Sequence, residues 1–473
     1  MKTLAQQLAE FVVETKYADL PEAAVHEAKR VLLDSIGCAL AGMTVEKGRL
    51  SAALARRLGG PPESSILGTR DKVSCAAAAF ANGELINALD FDAILEPAIH
   101  ISPFVLPPAL ALGESRRSSG RYLIVASVLG HELSARVASG LSSGRTIVAE
   151  GPDRGKVLRP PVHGYSANAF GSVAGAGKML GLDADKMAHA MGIAGYSAPM
   201  QTGSHWQRCG TSALIKYGSA GWMAQLGTTA ALLADTGYTG DLSVLDGDDG
   251  FWRFSGSESW NPEKVSNNLG QDWHIVNMRY KIYPCCGVLQ GALDCFTSIV
   301  KENHLSPEEV ERVEVFLDPL TEEPLWQSRE IENEVHAQFS VPYVVAVAAQ
   351  GLPLGAEWQA PTTRKSAGVR AFMNKVIFAT HPNYGSAALE NRHARMAKVD
   401  VRANGRSYTI ERSFARGTAT PEIARLSDRE LEDKFRHNAS GVLPEEKANN
   451  AVKFVWELEE LKNISDLVDS LAG

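Results

Sequence analysis

Up to about residue 270 the chain keeps one pattern: stretches rich in alanine and glycine, with apolar residues at helical spacing. Small side chains let helices approach closely, so this pattern predicts a packed helical bundle. Pro21 opens PEAAVHEAKRVLLDSIGCALAG, where Val25, Ala28, Val31, Leu32, Ile36 and Leu40 share a face and Gly42 is the stop. Ala76 to Leu89, Tyr122 to Ser139, Ser166 to Leu180, Asp183 to Ala194 and Gly218 to Asp235 repeat the style. The character changes near Trp273. HIVNMRYKIY, VERVEVFL (Val310 to Leu317) and KVIFAT (Lys375 to Thr380) read as strands, and Asn404-Gly405 marks a hairpin turn in MAKVDVRANGRSYTIER. Helical signals return from Ser427. The expected fold is mainly α. A large discontinuous helical domain (1–269 and 417–473) carries a smaller inserted α+β lid domain (270–416).

Several function classes drop out early. The net charge of -8 leaves no basic footprint for nucleic acid. No apolar run approaches the roughly 18 to 20 residues that span a bilayer. The start, MKTLAQQLAEFVVE, lacks the regions of a signal peptide, and Leu4, Leu8, Phe11 and Val12 make it an amphipathic helix. Six cysteines in 473 residues do not make a disulfide framework, so a reducing cytoplasm is expected.

Cofactor motifs fail on inspection. FGSVAGAGKML resembles a phosphate loop at Gly177-Lys178, but Ser172 replaces the first glycine and Met179 stands where a hydroxyl should bind magnesium. His131-Glu132 lacks the second histidine of a zinc helix. Cys285-Cys286 are adjacent, not spaced for a metal or for redox cycling. No metal and no organic cofactor are therefore expected.

The stretch with the most chemistry is ALDFDAILEPAIH, Ala88 to His100. It holds Asp90, Asp92, Glu96 and His100, and carboxylates near a histidine are what proton transfer requires. Spacing alone fits equally a loop with a capping aspartate. Elsewhere His163 lies in PPVHGYSANAFG, Lys216 in SALIKYGSAGW and Lys281 in MRYKIYPCCG. A lysine among apolar residues is ordinarily a surface residue that buries its stem. Several converging on one cleft would instead bind an anion.

These segments, in this order, resemble the MmgE/PrpD family, which includes 2-methylcitrate dehydratase, cis-aconitate decarboxylase and iminodisuccinate epimerase. The resemblance runs from LPEAAVHEAKRVLLDSIGCALAG through FANGELINALDFDAILEPAIH, VHGYSANAFGSVAGAGKMLG and ALIKYGSAGWMAQLG to KIYPCCG and HAQFSVPYVVAVAAQG. It implies a helical domain with a lid, a homodimer, and catalysis without metal or organic cofactor. It also implies catalytic roles for Asp90, His100, His163, Lys216 and Lys281, and it places Glu96, Cys286 and Tyr343 at the substrate. The chain departs from the family at Ala93 and Ile94, where an acid and a threonine are common. Glu96 and Cys285-Cys286-Gly287 are nearer to the fungal cis-aconitate decarboxylase type.

The implied chemistry is acid–base lysis of a small tricarboxylate such as 2-methylcitrate or cis-aconitate, by loss of water or of carbon dioxide. An epimerase of a dicarboxylate imine and an inactive anion-binding protein are the alternatives. Lys216 and Lys281 are expected to hold a substrate carboxylate, and His100 to carry the proton with Asp90 fixing its orientation or polarising the site. The helix from Phe170 to Leu180 is the expected face for a second copy of the chain.

Overall fold

Close helix approach organises the larger part of this computed structural model, which describes residues 2–473 apart from 97–99, 143, 161–163, 200–202 and 211, and not the side chains of 203 and 204. The first ten helices are α1 (Leu4–Glu14), α2 (Glu22–Gly42), α3 (Glu46–Leu58), α4 (Cys75–Asn87), α5 (Ser102–Ser115), α6 (Gly120–Gly140), α7 (Asn168–Leu180), α8 (Ala184–Ser197), α9 (Gly203–Cys209) and α10 (Ala220–Asp235). Helices α1, α2, α4, α6, α7, α8 and α10 match the expected helical stretches to within a few residues, and α3 and α9 had no expected counterpart. In the middle lies α7, packed on α5, α6, α8 and α10. A side chain at Gly171 would collide with the Gly130 carbonyl of α6, and one at Gly227 of α10 with Ser172. Glycine at these contacts brings the backbones together. Because α7 is enclosed in its own bundle, it offers no outer face to a second copy. The expectation for Phe170 to Leu180 is corrected accordingly.

Helix α5 is buried from Ser102 through Glu114 and runs on through Pro107 and Pro108. Apolar neighbours on every side hold the helix together where it lacks two backbone donors.

The second part is built on a four-stranded sheet. Strand Val310–Leu317 pairs in parallel with Val376–Thr380 and antiparallel with Ala397–Ala403, which forms a hairpin with Arg406–Arg412. Val313 faces Val376, Val315 faces Val399, and Val399 faces Ile410. All four strands lie where period-two alternation placed them. HIVNMRYKIY differs: it forms a 3-10 turn at His274–Asn277, then one isolated bridge between Arg279 and Ile94. Among the described residues no second strand lies alongside to continue that ladder.

The chain then returns to the first bundle. Helix Asp428–Ala439 lies on α2, where Gly37 meets Phe435 and Lys434 pairs with Asp34 at 2.7 Å. No described helix is long and apolar enough to cross a membrane. The fold thus brings the 88–100 connection, between α4 and α5, against residues 279–290 of the second part.

Candidate active site

Asp90 stands just past the end of α4, with φ of 54°. Few non-glycine residues enter this left-handed region, and aspartate is among the more tolerant. The turn sets the carboxylate between two buried ammonium groups. Lys281 Nζ lies 2.8 Å from Oδ2 and donates to the Asp90 carbonyl at 2.6 Å. Lys216, itself at φ 52°, lies 3.2 Å from Oδ1 and also donates to Asn87 O at 2.7 Å and Gln338 Oε1 at 3.2 Å. The Tyr217 hydroxyl donates to Oδ1 at 3.1 Å.

These partners decide the charges. Burial works to raise the Asp90 carboxyl, but Lys281, Lys216 and His100 outweigh it and hold it far below the usual carboxylate range. Asp90 is therefore a fixed anion. Burial pulls Lys216 down to about 8 despite Asp90. Burial also works against Lys281, yet Asp90 and Asp92 prevail and its pKa is raised.

His100 is oriented by Asp92. Its Nδ1 lies 2.6 Å from Asp92 Oδ2, while Nε2 is 3.8 Å from Asp90 Oδ1. Asn87 steadies the other Asp92 oxygen at 3.2 Å. Burial would raise the Asp92 carboxyl, but His100 and Lys281 hold it below its ordinary value. An ionised Asp92 accepts the Nδ1 proton, so the tautomer it selects leaves Nε2 for chemistry. Tyr217 and Tyr165 stack beside the imidazole, with ring centroids 5.1 and 6.2 Å away. Asp90 was expected to orient His100 or to polarise the site; its carboxylate is taken up by the lysines, and it is Asp92 that orients the ring.

A cavity of about 1400 Å³ opens in front of this group. Asp90, His100, Tyr165, Tyr217 and Cys286 line it, and so do Arg136, Arg145, Arg159, Arg279, Arg392 and Arg395. Neither Lys216 nor Lys281 reaches the wall, and both side chains are fully buried. The expectation that they hold a substrate carboxylate is corrected: a buried ammonium needs a fixed counter-charge, and Asp90 supplies it.

The remaining expected residues separate. Glu96 lines the cavity but pairs with Arg395. Cys286 lines it as a thiol, its pKa pushed up to about 12 by burial and then by Asp90. Tyr343 is corrected to a core residue, for it is fully buried off the wall and its hydroxyl donates to Trp358 O at 2.6 Å. Its place in the first turn of helix Val341–Ala349 aims the ring into that packing. His163 lies outside the described residues. Sequence reasoning noted Asp92 beside Asp90 without giving it a role of its own, and it passed over Tyr165, Tyr217, Gln338 and the arginines. Tyr217 and Arg279 could have been found as polar neighbours of the chosen lysines. Gln338 and Arg159 carried no local signal.

Among the described residues no group of three or more histidine, cysteine or acidic side chains could hold a metal. The site can hold an anion against the arginines and move a proton at His100 Nε2.

Comparison with known proteins agrees. A family model described as the MmgE/PrpD N-terminal domain matches residues 6–263, and one described as the MmgE/PrpD C-terminal domain matches residues 283–460. The chain is similar to a cis-aconitate decarboxylase-like protein of Aspergillus oryzae, 26% identical over 491 residues, which covers 99% of this chain and 97% of that protein. It is similar to the cis-aconitate decarboxylase of Homo sapiens, 26% identical over 488 residues (100% and 95%). It is also similar to the cis-aconitate decarboxylase of Aspergillus terreus, 27% identical over 354 residues (70% and 68%).

Proposed function

Because this chain belongs to the MmgE/PrpD family, we propose that it is a lyase that releases carbon dioxide from a small tricarboxylate of the cis-aconitate type, using its own side chains and neither a metal nor an organic cofactor. The observation that carries this reading is the proton-transfer centre at His100, the one found among the described residues lining the cavity. Among Asp90, His100, Tyr165, Tyr217 and Cys286, His100 is the group poised to exchange a proton, since Asp90 is held ionised by two lysines. Dehydration needs an acid at the departing hydroxyl and a base at carbon. Decarboxylation needs one proton delivered to carbon. The names of the similar proteins support the same choice.

The reaction balances with one proton. In cis-aconitate a carboxylate sits on the carbon beside a C=C bond. The bond to that carboxylate breaks, carbon dioxide leaves, and the freed pair forms a terminal C=C bond. The old double bond shifts its pair to its far carbon, which takes the proton from His100 Nε2. Negative charge builds on the carboxylate conjugated with that carbon until the proton arrives. Asp92 keeps the ring in place, and water restores its proton. Asp90 Oδ1 lies 3.8 Å from the Nε2 that gives up the proton.

The test is turnover of cis-aconitate in deuterium oxide followed by NMR. The expected product is carbon dioxide and a methylidene diacid with one deuterium at the carbon that was vinylic. Water lost from 2-methylcitrate, with no carbon dioxide from cis-aconitate, would make the protein a dehydratase. Exchange at a stereocentre with neither loss would make it an epimerase.

A further inference from the structure

Resting on the tricarboxylate reading, we propose that Arg279 binds the carboxylate that the substrate keeps, the one conjugated with the carbon that takes up the proton. The arginines of the cavity wall are not equivalent. Arg136, Arg159 and Arg395 pair with Glu132, Asp318 and Glu96, and Arg392 is exposed and gives Nε to His393 Nε2 at 3.2 Å. Arg145 gives Nη1 to the Tyr384 hydroxyl at 2.7 Å and Nη2 to the carbonyls of Arg392 and Ala394 at 2.9 and 3.1 Å. Arg279 donates from Nη2 to Gly287 O at 2.7 Å, while its Nε is buried with no hydrogen-bond partner. Among the described residues no carboxylate forms an ion pair with it. Burial pulls its pKa below the usual arginine value, with Glu96 the largest opposing influence. A buried guanidinium with a donor to spare is destabilising until an anion arrives, and a carboxylate fits its planar fork.

Position selects which carboxylate. Arg279 N and O exchange hydrogen bonds of 2.9 Å with Ile94, in the loop that carries both Asp90 and His100. Two residues on, Lys281 grips Asp90. The guanidinium is therefore fixed to the same frame as the proton donor. A guanidinium on the departing carboxylate would stabilise charge that must vanish, and would slow the reaction. On the retained carboxylate it meets charge that grows toward the transition state.

The test uses tricarballylate, a saturated tricarboxylate without the double bond that decarboxylation needs. It is titrated calorimetrically into wild type, Arg279→Met and Arg279→Lys. Arg279→Met should weaken binding by about 10- to 100-fold, the loss expected for one charge-assisted contact. Its ligand-free urea midpoint should equal or exceed that of wild type, because an uncompensated cation is gone. Arg279→Lys should recover part of the affinity. Wild-type affinity in Arg279→Met, a clearly lower ligand-free midpoint, or no binding to wild type would each overturn the assignment. Should wild type bind tricarballylate through Arg279 yet release no carbon dioxide from cis-aconitate, the reading of the reaction fails and with it the choice of the retained carboxylate, while Arg279 stands as a carboxylate-binding residue.

Discussion

At the scale of single residues the site is a division of labour between two aspartates two positions apart. Asp90 neutralises Lys216 and Lys281, and Asp92 holds His100. Removing the charge of Asp90 leaves two buried ammonium groups facing an amide. Asp90→Asn should therefore cost about 3–5 kcal/mol in denaturant unfolding, the scale for breaking a buried ion pair. Asp92 makes a different prediction. Its folded pKa lies below the unfolded value, so its contribution is complete above about pH 4 and is lost as pH falls toward the folded pKa. Asp92→Asn should flatten the drop in urea midpoint between pH 5 and the acid limit, measured in parallel with wild type. An equally steep drop would remove Asp92 from the acid linkage. His100→Gln keeps the hydrogen-bonding size of the ring but cannot titrate. It should lower turnover by about a hundredfold or more while tricarballylate still binds. Deuterium incorporation at the wild-type rate in this variant would make His100 structural. The sequence put Asp90 and His100 at the centre of attention, but it could not say which aspartate met the ring. The two share one loop, and only the left-handed turn at Asp90 separates their directions.

Elements set these directions. The loop 88–100 starts where α4 ends and finishes at the start of α5, so both helices must be seated before the loop has a shape. The seating depends on small residues. Gly171 on α7 is in contact with the Gly130 carbonyl on α6, and no β-carbon fits there. Gly171→Ala should destabilise the chain by about 1–3 kcal/mol through overpacking, read as a lower guanidinium midpoint. The wild-type midpoint would show that α6 and α7 can slide apart at little cost. Helices and strands themselves were largely legible, because each has a period that a sequence displays. The four strands of the sheet and the helices that bury α7 fall close to their expected bounds. HIVNMRYKIY was misread for a clear reason: alternation shows that two faces differ, not that a neighbouring strand exists to pair with. Arg279 has Ile94 opposite it in a single bridge, and the rest of the stretch turns away.

On the scale of the whole molecule, an acidic chain with net charge -8 gathers arginines around one cavity. That local excess draws an anion to a surface that otherwise repels it. The proposed reaction uses the chain's own charges, so turnover should survive exhaustive chelation and dialysis. Loss of activity with EDTA, restored by a divalent ion, would end the cofactor-free reading. The chain is also proposed to act as a homodimer, through some surface other than the enclosed α7. Sedimentation should show a dimer at micromolar concentration, and a fully active monomer would rule it out. The sequence by itself determined the helical bundle, the sheet, and the loop that carries Asp90 and His100. These follow from periodicity and local composition, which neighbouring residues in the chain express together. Tertiary structure alone decided that Lys216 and Lys281 stand behind Asp90 rather than in the cavity, that Tyr343 belongs to the core, and that Arg279 lines the cavity with no carboxylate paired to it among the described residues. Each depends on which groups from distant segments meet in a space without water. There a charge must find its partner or remain uncompensated, and no spacing along the chain records which partner is near.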